Sequence, residues 1–248
     1  GMTQRDEFDF AKQGFVGLTE RRLQVAIFVC PGFAPVDIIG VHTIFGVLPT
    51  AELHLVWKDR EPLVGMPVFP CRATTTFDAC PRDLDVLHIG AVPPDIFDDA
   101  EALAFLADRG ARARYVAANC AGSLFLGAAG LLRGYRATSN FHIVPMLEQF
   151  GAIPVESGAI VEDRNRITAG PATGSFEVGL RLLELLCGRE VAREMELQLE
   201  YAPRPLFGTG SPALAGPELT RRALDRAAPL NELMREPAAR AARRLHSS

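Results

Sequence analysis

The stretch Arg114-Tyr115-Val116-Ala117-Ala118-Asn119-Cys120-Ala121-Gly122-Ser123-Leu124-Phe125-Leu126 decides the fold. Tyr115 to Asn119 is short and mostly apolar, the texture of a buried strand. From Ala121 to Leu132 the residues are small and apolar, with Leu124, Leu126, Leu131 and Leu132 fit to pack a helix on a sheet. A strand that turns at once into a helix needs small residues at the corner, and Ala121, Gly122 and Ser123 supply them. The corner lifts Cys120 above the sheet at the positive end of the following helix, where a thiolate is favoured over a thiol. This is the pattern of a nucleophile elbow with sulfur in place of a hydroxyl. The alternative is that Cys120 is a small core residue, the commonest fate of a cysteine beside an apolar strand.

Working outward, apolar strand-like runs alternate with helical ones. Leu23–Cys30 is a continuous apolar strand ended by Pro31-Gly32, and a helix follows over Val36–Val47 with Asp37 in its first turn. Leu53–Trp57 and Asp85–Gly90 read as further strands, and Val68–Phe77 as an extended edge segment. Helices are expected over Asp98–Arg109, Asn140–Phe150, Thr173–Leu186 and Glu190–Tyr201. A hairpin is expected within Ile153–Ala169, turning at Glu162–Asn165. The alternation gives an α/β class with a mostly parallel sheet. The expected organisation is a loosely held lead over 1–20, one domain over 21–203, and a C-terminal helical extension over 204–248.

Composition excludes several classes. The 248 residues carry a net charge of -4, and no helix bears a basic stripe, so a nucleic-acid partner is not expected. No apolar run reaches the roughly 18 to 20 residues that span a bilayer. Gly1-Met2 reads as a cleavage scar, and no signal peptide is visible. The cysteines at 30, 71, 80, 120 and 187 are odd in number and not closely paired, which points to reduced thiols of a cytoplasmic protein. They form no C-x-x-C, and the histidines no i, i+4 pair, so no metal is expected.

Ligands of open parallel sheets bind at the carboxyl ends of the strands. Three such ends carry informative residues: Cys30 with Asp37 beyond it, Gly90-Ala91, and Cys120-Ala121. Cys120 is the candidate nucleophile. Asp37 is the candidate proton carrier, or else an acid that complements a helix dipole. Gly90, Ala91 and Ala121 could offer backbone N–H groups to developing negative charge. Cys30 is either a second thiol near the site or a buried small hydrophobe.

Phe28–Gly32, Val36-Asp37-Ile38-Ile39-Gly40, Asp85–Gly90, Asn119–Ser123, Gly134-Tyr135-Arg136-Ala137-Thr138 and Ala169–Glu177 follow one another in that order. Together they resemble the ThiJ/PfpI superfamily, over about residues 23 to 215. Asp37, where other branches carry glutamate, resembles the isonitrile hydratase branch, as do Glu200-Tyr201-Ala202-Pro203 and Gly210-Ser211-Pro212. The resemblance implies a flavodoxin-like three-layer sandwich with a cysteine elbow, usually a homodimer, with Asn140, Phe141 and Thr173 lining the substrate. It implies a cofactor-independent hydratase in which Cys120 attacks the terminal carbon of an isonitrile and Asp37 moves the proton, giving an N-substituted formamide. The alternatives within the superfamily are a ligand-binding or oxidation-sensing stress protein, or a glyoxalase. Three positions depart from the family pattern. Ala121 replaces a threonine, Ala91 replaces the second glycine of a pair, and Asn140 stands where a histidine is expected. A regulator is disfavoured, because the tail is too short for a paired helix-turn-helix domain.

Four structural expectations follow. Cys120 should sit in a strained corner, of the kind in which φ turns positive. Asp37 should lie within hydrogen-bond reach of it, on neighbouring strands. The pair should hold its proton on Asp37, with Cys120 as the thiolate and the most reactive of the five thiols. The tail, through Leu230, Leu233 and Met234, should either mediate dimerisation or fold back on its own domain.

Overall fold

The structure, a computed structural model, describes residues 10–156 and 159–247. A short helix α1 (Phe10–Gly14) leads in, and the following Phe15 and Leu18 pack against the core. The lead is therefore packed on the domain at Phe15 and Leu18; residues 1–9 of that expected segment, including the Gly1-Met2 junction, lie outside the described residues.

Strand β1 (Leu23–Phe28) is buried almost throughout. Its Leu23, Val25, Ile27 and Phe28 are essentially inaccessible, each burial worth about 1.5–3 kcal/mol. Helix α2 (Pro35–Gly46) starts on a proline, whose missing N–H costs nothing in a first turn. Next come β2 (Ala51–Trp57), the small antiparallel hairpin β3 (Leu63–Gly65) and β4 (Phe69–Cys71), β5 (Thr75–Thr76) and β6 (Val86–Ile89). Helix α3 (Ala100–Arg112) is capped by Asp99, whose carboxylate accepts from the Ala102 N–H at 3.0 Å. Strand β7 (Tyr115–Asn119) and helix α4 (Gly122–Ala128) form the corner at Cys120, and β8 (Arg136–Ala137) pairs with β9 (Ile153–Pro154). The hairpin β10 (Val161–Asp163) and β11 (Arg166–Ala169) is present, but its turn is Arg164-Asn165 alone, because Glu162 and Asp163 of the expected turn pair within the strands. Helices α5 (Ser175–Cys187), α6 (Arg189–Gln198), α7 (Pro212–Ala215) and the 31-residue α8 (Pro217–Ser247) complete the chain.

The main sheet has the order β10-β11-β7-β6-β1-β2-β5 and is parallel except for β10. Helices α2 and α5 pack on each other and against the sheet, while α3, α4 and α8 pack together with the 3₁₀ turn Pro94–Asp98. The result is a mostly parallel sheet between helical layers. The chain order reverses between β1 and β6, so the carboxyl ends of β1, β6 and β7 meet at the switch point where α/β sheets bind ligands. β1 and β7 were expected as near neighbours; each pairs with β6, which lies between them.

Two expectations are corrected. Asn140–Phe150 is not one helix: Asn140 sits in a turn closed by the Ile143 N–H on its carbonyl at 3.0 Å, and only Val144–Phe150 is helical, as 3₁₀ turns. Pro145, in the first turn of that segment, has no N–H to donate to the carbonyl of Phe141, so a continuous α-helix from Asn140 is broken there. The apolar face of the tail is also different. Met234, Ala238, Ala241 and Ala242 are buried against their own chain, whereas Leu230 and Leu233 are exposed. The tail folds back, further held by Arg240 and Arg244 on Asp98.

Candidate active site

Cys120 has φ +58°, a left-handed conformation rare for a residue with a side chain. Its N–H donates to the Ala169 carbonyl at 3.0 Å, and its carbonyl accepts from Ser139 Oγ at 2.8 Å, so the corner is tied to β11 and to the 139–143 turn. Gly122 begins the helix in a close approach: a β-carbon there would stand 2.3 Å from the Ile89 carbonyl oxygen. The expected strained elbow is present, and the neighbouring strand end explains why its first helical residue is glycine.

Asp37 is fully buried in the first turn of α2. Its Oδ2 accepts from the Ala91 N–H at 2.8 Å, and its Oδ1 makes no hydrogen bond of ordinary geometry. The Gly90 position admits the carboxyl because it lacks a side chain; a β-carbon there would lie 2.4 Å from that of Asp37. Burial raises the Asp37 carboxyl to about 6, with the Ala91 N–H and the Cys120 thiol pulling it back down. Burial also raises the Cys120 thiol, to about 12, and the charge of Asp37 pushes the same way. At neutral pH the pair therefore rests as Cys120 thiol and Asp37 carboxylate, the reverse of the expected order. The dipole of a seven-residue helix does not outweigh desolvation.

The sulfur meets two side chains: it interacts with Asp37, as expected, and Sγ lies 3.2 Å from Asn140 Oδ1. The orientation of that amide is set by its other end, where Nδ2 donates to the Gly170 carbonyl at 2.8 Å. With that N–H committed to Gly170, the amide oxygen is the atom that faces sulfur and accepts from its S–H. The Ala121 N–H is directed at the sulfur, and the Ala91 N–H is engaged by Asp37. Ala91 and Ala121 thus support the pair and do not present free donors to a third group.

The other expected lining residues are both exposed. Phe141 follows Asn140, is exposed, and sets its ring edge against His142. Thr173 is exposed beside Ala172, whose carbonyl accepts from Asn119 Nδ2 at 3.1 Å. His88 was not singled out from the sequence. It is fully buried and joined through Nε2 to Asn119 Oδ1 at 2.8 Å, under the corner, and burial keeps it neutral. Its place inside a strand gave no sign of this. An open depression of about 730 Å³ lies among Leu18, Glu190, Glu194, Leu197 and Tyr201, but none of these belongs to the Cys120 site. Among the described residues no group of three His, Cys, Asp or Glu side chains could hold a metal. Nor is any helix there long and apolar enough to cross a membrane.

The sequence profile of the DJ-1/PfpI family matches residues 23–185. The chain is 39% identical over 226 residues to an isonitrile hydratase of Pseudomonas putida, covering 90% of this chain and 98% of that one. A crystal structure of a ThiJ/PfpI family protein from Pseudomonas syringae superposes with a TM-score of 0.83 at 39% identity, covering 90% of this chain and 91% of that one. Drosophila melanogaster DJ-1beta shares the fold, with a TM-score of 0.64 at 19% identity over 74% of this chain and all of that one.

Proposed function

Since this chain belongs to the DJ-1/PfpI family, we propose that it is a cofactor-independent hydratase that converts an isonitrile to an N-substituted formamide through Cys120 and Asp37. The observation that carries the reading is the pairing of the half-buried Cys120 thiol with the fully buried Asp37 carboxyl, both raised by burial and interacting with each other. The similarity to an isonitrile hydratase over nearly all of both chains points the same way.

The reaction balances on these groups. As sulfur bonds to the terminal isonitrile carbon, Asp37 takes the thiol proton and returns it to that carbon, giving a thioimidate on Cys120. Water then bonds to the same carbon while Asp37 removes one of its protons and passes it to nitrogen. The C–S bond breaks with its electron pair going to sulfur, and the remaining hydroxyl proton passes through Asp37 to restore the thiol. One carboxyl serves as base and acid in turn, which suits a group raised to about 6. Asn140 orients the thiol, and Phe141 and Thr173 border the approach.

Incubation with an alkyl isonitrile should yield the formamide and, on rapid quench, a mass increase of one substrate on the Cys120 peptide. Absence of formamide above the buffer rate would defeat the proposal. Parallel incubations with methylglyoxal and peroxide test the glyoxalase and oxidation-sensing readings. The raised thiol opposes the latter, since sensor cysteines are poised as thiolates.

The protein is further proposed to be a cytoplasmic homodimer. Five free cysteines suit a reducing compartment, and the exposed Val64, Met66, Val68 and Phe69 form an apolar hairpin surface fit for a second copy. A monomeric mass by light scattering at micromolar concentration would reject the dimer.

A further inference from the structure

The C-terminal helix grips the turn beside the site through Asn231. Asn231 on α8 grips the turn that begins at Asn140: its Oδ1 is 3.0 Å from His142 Nδ1, and its Nδ2 donates to the His142 carbonyl at 3.3 Å. The second bond fixes the amide, so Oδ1 faces the ring and Nδ1 carries the proton. The turn between these contacts is short. The Ile143 N–H closes it on the Asn140 carbonyl, Asn140 Oδ1 takes the sulfur, and Ser139 Oγ takes the Cys120 carbonyl. One primary amide on the tail thus holds both the side chain and the backbone of a residue two positions from the group that touches the thiol.

The rest of the helix is anchored independently. Met234, Ala238, Ala241 and Ala242 are buried, Arg240 and Arg244 pair with Asp98, and His246 Nε2 lies 2.6 Å from the Gln149 carbonyl. These contacts hold the helix on the domain apart from the Asn231 bonds.

We infer that Asn231 is a positioning residue for Cys120, acting through His142 and the Asn140 turn to keep an acceptor oxygen on the thiol. The inference rests on the reading of Cys120 as the reactive thiol and assigns the C-terminal extension a part in its control. With the turn released, Asn140 can leave Gly170 and present its N–H to sulfur, which favours the thiolate.

The test is the rate of Cys120 alkylation by iodoacetamide at pH 9, read by peptide mass, in the full chain. Asn231→Ala should speed alkylation about five-fold, the worth of one neutral hydrogen bond, and shift its pH profile to lower pH. His142→Leu should do the same, and the double variant should gain no more than either single one. Arg240→Ala, which loosens the helix elsewhere, should leave the rate unchanged. A rate within two-fold of the parent in both Asn231→Ala and His142→Leu would overturn the inference, as would an equal rise in Arg240→Ala. Should Asn231→Ala fold poorly, His142→Leu with the Arg240→Ala control decides the matter alone. The assay needs no isonitrile, so loss of turnover and loss of this coupling are read separately.

Discussion

Cys30 and Cys120 occupy matching places in the fold. Each follows an apolar parallel strand, β1 or β7, each of those strands pairs with β6, and burial pushes both thiols upward. Their surroundings differ. Cys30 is sealed in the core, raised by burial and then by the charges of Asp95 and Asp99. Cys120 stands on a left-handed corner with an amide oxygen, a backbone N–H and a buried carboxyl around its sulfur. A strand-end cysteine becomes a candidate nucleophile through these neighbours, while burial alone makes it inert.

The contrast is most directly broken by exchange. Cys120→Ser should lower isonitrile turnover at least about a thousandfold, as removal of a nucleophile does elsewhere. Cys30→Ala should change kcat/KM by less than about three-fold, its effect falling on stability through a lost buried contact. Comparable losses in the two variants, measured by formamide release, would erase the distinction.

Asp37→Asn keeps an acceptor for the Ala91 N–H but cannot shuttle a proton, so turnover should fall by about 10²–10⁴. The same change should stabilise the protein. A carboxyl raised from 3.8 to about 6 binds its proton more tightly in the folded state, so its ionisation weakens the fold as pH rises between those values. The variant should be about 3 kcal/mol more stable than the parent at pH 7, with most of that gain gone at pH 4. Denaturant unfolding at both pH values checks the sign. A loss of stability at pH 7 would mean that the buried carboxylate is better solvated than the geometry indicates.

Gly90→Ala should cost about 1–3 kcal/mol, because the added carbon meets the Asp37 side chain. It should also reduce turnover by moving that carboxyl, whereas alanine at a surface glycine would do neither. The smallest expected effect is in the pH profile. Rate should rise through about pH 6 as Asp37 ionises and stay flat from pH 7 to 9, since the thiol titrates far above that range. A profile rising instead near pH 8 to 9 would identify a thiolate-limited enzyme.

The sheet and the corner were legible because continuous apolar runs and the small residues Ala121, Gly122 and Ser123 leave few alternatives. The position of Asp37 near Cys120 followed from strand ends converging. The direction of the proton did not, because it depends on how deeply both groups are buried, a tertiary property that no local pattern carries. Asn140 was placed near the substrate, but its bond to sulfur depends on Gly170, thirty residues away. The docking stripe of the tail was hidden for another reason. It is built from Ala238, Ala241 and Ala242, which pack closely without a strong apolar signature, while the conspicuous Leu230 and Leu233 face outward.

The engagement of the Ala91 N–H by Asp37 has a consequence for chemoselectivity. Attack on a carbonyl places a full negative charge on oxygen, and preorganised donors there are worth about 10²–10³ in rate. The Ala91 N–H already serves a carboxylate and the Ala121 N–H is directed at sulfur, so an alkoxide would find these two donors occupied. An isonitrile makes no such demand: its attacked carbon is itself the basic atom, and a proton quenches it directly. The corner should therefore discriminate by the fate of the electron pair rather than by substrate shape. Competition between an alkyl isonitrile and an activated ester of equal chain length would display that preference as a ratio of kcat/KM values, and a ratio near one would refute it.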